Sequence, residues 1–247
     1  MLSRPLTVTF DAHDPVRLAR FWAGLLDREV AAEAGGGACL PGTATQPGLR
    51  FVPGATRRAG PNRMHLHLTS TDPDDQQRQV ATALDLGGTH LDVGQRPEER
   101  HVVLADPEGN EFCVIGPGNS FLAGCGLLGE IACDGTRAVG LFWSAALGWP
   151  LVWDRDEETA VQSPDGGTKV AWGGPPVNPK RGRNRQRFDL VPEGDRQAAV
   201  DRLVGLGATR VEVGADGVVV LADPDGNEFG VLPGSGRDGN ESGVLAG

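Results

Sequence analysis

Apolar and polar residues alternate near the start of the chain, where Leu6–Phe10 (LTVTF) has the period of a strand with one buried face. The period then lengthens. In DPVRLARFWAGLLD, residues Leu18, Phe21, Trp22 and Leu25 form a helical stripe; Asp14 is placed to cap it and Pro15 suits its first turn. Two or three weak strands, punctuated by glycine, are expected between Val30 and Pro53. Met64–Ser70 (MHLHLTS) reads as a strand and DPDDQQRQVATALDLGG as a capped helix stopped at Gly87–Gly88. His90–Val93, His101–Ala105 and Glu111–Ile115 read as short strands. The pattern is βαβββ, twice.

The same pattern then returns. LADPEGNEF (Leu104–Phe112) recurs 117 residues later as LADPDGNEF (Leu221–Phe229), and an internal repeat of this length means two copies of one unit. In the second copy GEIACD is the first strand and RAVGLFWSAALGW the helix. Trp149–Trp153, Thr168–Trp172 and Gln186–Val191 are strands, Glu193–Leu206 is a helix closed by Gly207, and Val218–Ala222 and Glu228–Leu232 finish the unit. The expected organisation is a first domain over 5–117, a small-residue linker over 118–126, a second domain over 127–233, and a Gly-rich polar tail over 234–247 that stays disordered. Within the repeated motif, Asp106 can bond nearby amides, Pro107 presets φ, and Gly109 and Asn110 tolerate positive φ. That describes a hairpin connection, which speaks to fold rather than chemistry.

With 39% hydrophobic residues each half can bury its own core. A net charge of −10 argues against a nucleic-acid partner. One basic run, Lys180–Arg187 (KRGRNRQR), departs from this; it reads as a solvated loop, with an anionic ligand or acidic partner as the alternative. No apolar stretch has the length of a signal peptide or of a membrane span, so no membrane partner and a cytoplasmic location are expected. The cysteines Cys39, Cys113, Cys125 and Cys133 are scattered without CxxC spacing, which favours reduced thiols.

The succession of a DPVRLARFW helix, an NRMHLHL strand, a helix ending in LGG, and VVLADPEGNEF, with NRQRFDL, LGA and VVLADPDGNEF in the second copy, carries a family resemblance. It resembles the glyoxalase-like domain of the vicinal oxygen chelate superfamily, which includes glyoxalase I, extradiol dioxygenases, fosfomycin-inactivating enzymes and bleomycin-binding resistance proteins. The likeness covers Leu6–Pro117 and Leu127–Pro233. It implies an α+β fold of two tandem domains, each built from paired βαβββ units that form a cupped mixed sheet with helices on the outer face. It also implies a divalent metal held by His, Gln or Glu, with one ligand on a first strand and another a Glu three residues after the Asn of DPxGN. The latter positions hold Cys113 and Gly230; the first-strand positions are Thr7 and a residue near Leu128; the NRxHLxL position holds His65 in one copy and Arg187 in the other. The usual ligand set is therefore broken in both copies. A metal-free site is expected, with a divalent ion as the alternative.

Strand parity brings other groups together. His65 and His67 share a face, with Leu66 and Leu68 turned to the helices, and Glu111 and Cys113 share a face on the last strand. These four are expected to converge in the first copy's cup. His65, His67 and Glu111 are the candidates for acid–base work or for a two-His, one-carboxylate ion site, and Cys113 is either a buried thiol or a contact to ligand. The second copy offers Arg187, Asp189 and Glu228, which either grip an anion or pair with one another, and Trp153 and Trp172, which would wall a pocket for a flat ligand. The reading these residues favour is a protein that binds a hydrophobic or aromatic small molecule. The alternative is a lyase, isomerase or dioxygenase-type enzyme working through His65, His67 and Glu111, and a third is a dimerising module. Either a monomer or a homodimer fits.

Overall fold

A computed structural model of the chain describes residues 6–54, 60–96, 98–214 and 216–234. Beyond Gly234, the tail expected to be disordered lies outside the described residues. Four βαβββ units follow one another. The first holds β1 (Thr7–Ala12), α1 (Pro15–Leu26), β2 (Ala31–Ala32), β3 (Ala38–Leu40) and β4 (Gly48–Pro53). The second holds β5 (Met64–Leu68), α2 (Pro73–Asp85), β6 (Thr89–His90), β7 (Val102–Ala105) and β8 (Glu111–Val114). The third holds β9 (Leu128–Cys133), α3 (Arg137–Leu147), β10 (Leu151–Arg155), β11 (Glu158–Gln162) and β12 (Lys169–Trp172). The fourth holds β13 (Gln186–Leu190), α4 (Arg196–Gly205), β14 (Thr209–Val213), β15 (Val219–Ala222) and β16 (Glu228–Val231). Asp14 and Asp72 cap α1 and α2 through their carboxylates, each followed by proline in the first turn. β11 and β14 have no counterpart in the expected strands. β14 (TRVEV) is exposed at every residue, so it lacks the buried face on which strand recognition depends.

The units pair into two open, mixed sheets of eight strands. One has the order β14-β15-β16-β13-β1-β4-β3-β2 and the other β10-β11-β12-β9-β5-β8-β7-β6. The α+β class and the paired βαβββ units are as expected, but each sheet takes one unit from each copy. The seams are the antiparallel pairs β1·β13 and β5·β9. Each unit leaves its first strand unpaired on one side, and that edge needs a partner. The two copies carry the same apolar pattern, so periodicity alone does not say whether β5 meets β1 or β9.

Helices cover the convex faces. In α1, Leu18, Phe21, Trp22 and Leu25 are buried, and Trp22 meets both Phe10 on β1 and Phe112 on β8, one strand from each sheet. Trp143 on α3 meets Phe188 on β13 and Phe229 on β16, neighbouring strands of one sheet. Aromatic cores therefore sit within a copy, while the concave faces are shared between copies. The repeated DPxGN turn fastens these tryptophans. Asp106 Oδ1 accepts from the amides of Glu108 and Asn110, and Oδ2 accepts from Trp22 Nε1 at 3.2 Å. Asp223 does the same for Trp143 at 3.4 Å. Among the described residues no helix is long and apolar enough to cross a membrane.

Candidate functional site

On the concave face of the β5–β12 sheet, strand register lines up two rows of side chains. The first runs Trp153, Ala160, Ala171, Ala132, His65 across β10, β11, β12, β9 and β5. Three adjacent alanines make a floor of small side chains that leaves the space above it empty, flanked by an indole and an imidazole. A cavity of about 720 Å³ stands over this floor, within the range of small-molecule sites. Phe121, from the segment between β8 and β9, closes one side: its ring packs edge-on to Trp153 at 6.0 Å between centroids, and Lys169 Nζ lies 4.2 Å from the same ring. Lys169 also donates to the Phe121 carbonyl. The expected linker is thus a wall of the cup.

The second row is polar: Lys169, Glu130, His67 and the Cys113 thiol across β12, β9, β5 and β8. His67 Nδ1 is 2.7 Å from Glu130 Oε2. Burial pulls the His67 pKa down, but hydrogen bonding to Cys113 and Glu130 outweighs it and lifts the value to about 9. His67 is therefore a cation held by Glu130 at neutral pH. His65 goes the other way, to about 4, because it is buried and because His67 and His101 add like charge. Two imidazoles whose centroids are 4.9 Å apart thus hold opposite protonation states. The ligand atoms of His65, His67 and Cys113 lie within 4.8 Å of one another.

Several candidate residues stand elsewhere than expected. Glu111 is not in this group; its carboxylate accepts from Asn62 Nδ2 at 2.8 Å. Glu228 holds the equivalent turn in the other copy by a different donor, accepting from the Asn184 backbone N–H at 3.2 Å and from Lys180 Nζ at 2.7 Å. Both glutamates brace the Asn-Arg turn that precedes β5 or β13. Trp172 borders the cavity but is only 2% exposed and belongs to the core. Alternation turns it away from the face that carries Ala171. Trp153, at 37% exposure, is the aromatic wall. Because the seam crosses the copies, Trp153 shares its cup with His65 and His67, and Arg187 and Asp189 share theirs with β1 and β4.

Glu130 and Lys169 were missed, and the reason is local. Leu68 pairs with Leu128 while His67 pairs with Glu130, so Gly129 is an extra residue in β9. This bulge flips parity: Leu128 is buried in the core and Glu130 reaches the cup. A first-strand position counted to Leu128 therefore lands on the wrong face.

The other concave face is filled. The equivalents of His65, Ala132, Ala171, Ala160 and Trp153 are Arg187, Thr9, Arg50, Cys39 and Ala31. Arg187 Nη1 donates to Asp11 Oδ1 at 2.6 Å, Thr9 Oγ1 to Asp189 Oδ2 at 2.5 Å, and Arg50 Nε to Glu33 Oε2 at 2.6 Å. Arg50 Nη1 adds a 3.4 Å contact to Asp189. The equivalent of Cys113 is Gly230, where a Cβ would collide with Asp189 Oδ1.

The sequence profile described as the glyoxalase-like domain matches residues 7–115 and 130–232. No curated protein matches the chain. Among solved structures, glyoxalase I from Zea mays superposes with a TM-score of 0.59 at 13% identity, covering 93% of this chain and 92% of that one. Its V278E mutant gives 0.60 at 15% identity, with the same coverage. A putative dioxygenase from Bacillus subtilis gives 0.58 at 14% identity, covering 92% and 85%. At these identities the likeness concerns the fold.

Proposed function

This chain belongs to the glyoxalase-like domain family, and from that premise we propose that the β5–β12 cup binds a flat, largely apolar small molecule over its alanine floor, against the wall that Trp153 and Phe121 form together. The observation that carries this reading is the 720 Å³ cavity over three alanines, with one exposed tryptophan on its wall. An aromatic wall offers area and stacking at low entropic cost. Neutral His65 supplies a polar contact at the opposite end, and Lys169 and Glu130 supply charge along one side. The neutral fluorophore N-phenyl-1-naphthylamine serves as the probe: its emission should rise saturably, and Trp153→Ala should abolish most of the rise. A probe that stays dark in the natural protein contradicts the reading.

A second reading rests on the meeting of His65, His67 and Cys113. Two imidazoles and a thiol suit a borderline ion such as zinc better than a hard, oxygen-seeking one, the ion taking the place of the proton that His67 otherwise carries. Glu130 grips His67 in the way carboxylates hold metal-bound imidazoles from behind. Such an ion would supply a Lewis acid beside the ligand. The residues would take up Co²⁺ with a thiolate charge-transfer band that Cys113→Ser removes. A Co²⁺ spectrum indifferent to that substitution rules this site out. Metal content of protein purified without a metal-affinity step then reports whether an ion is carried.

A further inference from the structure

The basic run Lys180–Arg187 does not simply lie in solvent. Its arginines close over a cleft of about 180 Å³ lined by Asn62, Arg63, Arg181, Arg183, Arg185 and Gln186, with neighbouring backbone. The cleft sits where the two copies of the Asn-Arg turn, Asn62–Arg63 and Asn184–Arg185, come together. It shares no lining residue with the β5–β12 cavity.

Two of these arginines are buried and incompletely bonded. The side chains of Arg63 and Arg185 are each 8% exposed. Arg63 Nε approaches Asp134 Oδ2 at 3.5 Å without hydrogen-bond geometry, and among the described residues neither Nε nor Nη2 has a hydrogen-bond partner. Arg185 gives Nη1 and Nη2 to the Glu108 carbonyl at 3.2 and 3.3 Å and lies 3.6 Å from its carboxylate, while Nε has no partner among the described residues. The nearby acids are otherwise engaged: Asp134 Oδ2 accepts from the Asn178 amide at 2.9 Å and Glu212 pairs with Arg183 at 2.6 Å. No carboxylate is among the described residues that line the cleft. A buried guanidinium with free N–H groups is costly unless something accepts from it. Gln186 adds the opposite need, since it is 4% exposed and its Oε1 accepts from nothing among the described residues.

We propose that this cleft is a binding site for a phosphoryl group, either inorganic phosphate or the phosphate of a small monoester. Arg63 and Arg185 would donate to its oxygens from below, Arg181 would add charge at the rim beside the Arg183–Glu212 pair, and Gln186 Oε1 would accept from a P–OH or an ester hydroxyl. Planar guanidinium donors match tetrahedral oxyanions well. The need for a donated hydroxyl separates phosphate from sulfate, which is fully ionised.

Titration calorimetry with inorganic phosphate, glycerol 3-phosphate and sulfate, at constant ionic strength, tests this. Saturable heat is expected from phosphate, from the monoester or from both, and the tighter of the two identifies the source. Sulfate should bind more weakly. Arg63→Gln should weaken binding about tenfold or more while leaving N-phenyl-1-naphthylamine fluorescence unchanged. Should Arg63→Gln fail to fold, the rim variant Arg181→Ala carries the test, with a several-fold loss expected. The proposal falls if neither phosphate source gives saturable heat, if sulfate binds as tightly as phosphate, or if a folded variant keeps the natural affinity.

Discussion

The two concave faces are built from the same strands in the same order, yet they have opposite interiors. Over one, the row Ala132, Ala171, Ala160 leaves a cavity. Over the other, Thr9, Arg50 and Cys39 occupy those places, and Arg187 with two aspartates occupies the depth. Backbone and helix packing are common to both, down to the Trp22–Asp106 and Trp143–Asp223 pairs. What differs is a handful of side chains on a scaffold that does not depend on them. One face has kept room and unpaired chemistry; the other has turned its charges inward upon each other. Duplication makes that division possible, since a filled cup can tie the two copies together while its sibling stays open.

The largest expected effect comes from breaking the filled cup. Asp189 is 1% exposed and Asp11 8%, and both rely on Arg187. Removing one partner of a buried ion cluster costs about 3–5 kcal/mol. Arg187→Ala should lose about that much in urea denaturation and leave the fluorescent probe's affinity unchanged. A loss of probe binding in a folded Arg187→Ala protein would mean the two faces are not independent.

Next comes a pH effect in what the copies share. Burial raises the Asp106 pKa from 3.8 to about 6, against the pull of its bonds from Asn110, Glu108 and Trp22. Between those two values the folded protein binds more protons than the unfolded chain, so stability falls as pH rises through the window. Below it both states are protonated, and above it both are charged. Relative to Asp106→Asn, the natural protein should lose on the order of 3 kcal/mol across that interval. A stability difference between the two proteins that does not move with pH would show that Asp106 does not titrate there.

Smaller still, Glu111→Ala and Glu228→Ala should each cost roughly 1–3 kcal/mol through lost bonds to the Asn-Arg turns, with no change in probe binding. A Glu111 variant that is stable but binds the probe poorly would return Glu111 to the cup. The smallest effect in energy is also the most specific: Trp153→Ala should weaken the probe about tenfold, or about 1.4 kcal/mol, with little change in stability.

Much of this was legible in the sequence. Strand and helix periods gave α1, α2, β5 and the repeat, and parity alone placed His65 and His67 on one face with Leu66 and Leu68 on the other. Three features were hidden for definite reasons. Partner choice at the β5·β9 seam is a matter of three-dimensional edges, and the copies present the same apolar pattern. The bulge at Gly129 changes the phase of β9, so Glu130 emerges where counting from the repeat puts Leu128. Trp172 and Trp153 look alike as aromatic strand residues, and only the register, with its own irregularity between Leu151 and Trp153, sends one to the core and the other to the cavity. The basic run was visible from the start, but its fold-back onto Arg63 was not.

Binding stoichiometry tests the central claim most directly. Equilibrium dialysis of N-phenyl-1-naphthylamine against the natural protein, Trp153→Ala and Arg187→Ala should give one site per chain, lost or strongly weakened in Trp153→Ala and intact in Arg187→Ala. Two equivalent sites per chain, or one site that survives Trp153→Ala and disappears in a folded Arg187→Ala, would contradict the account.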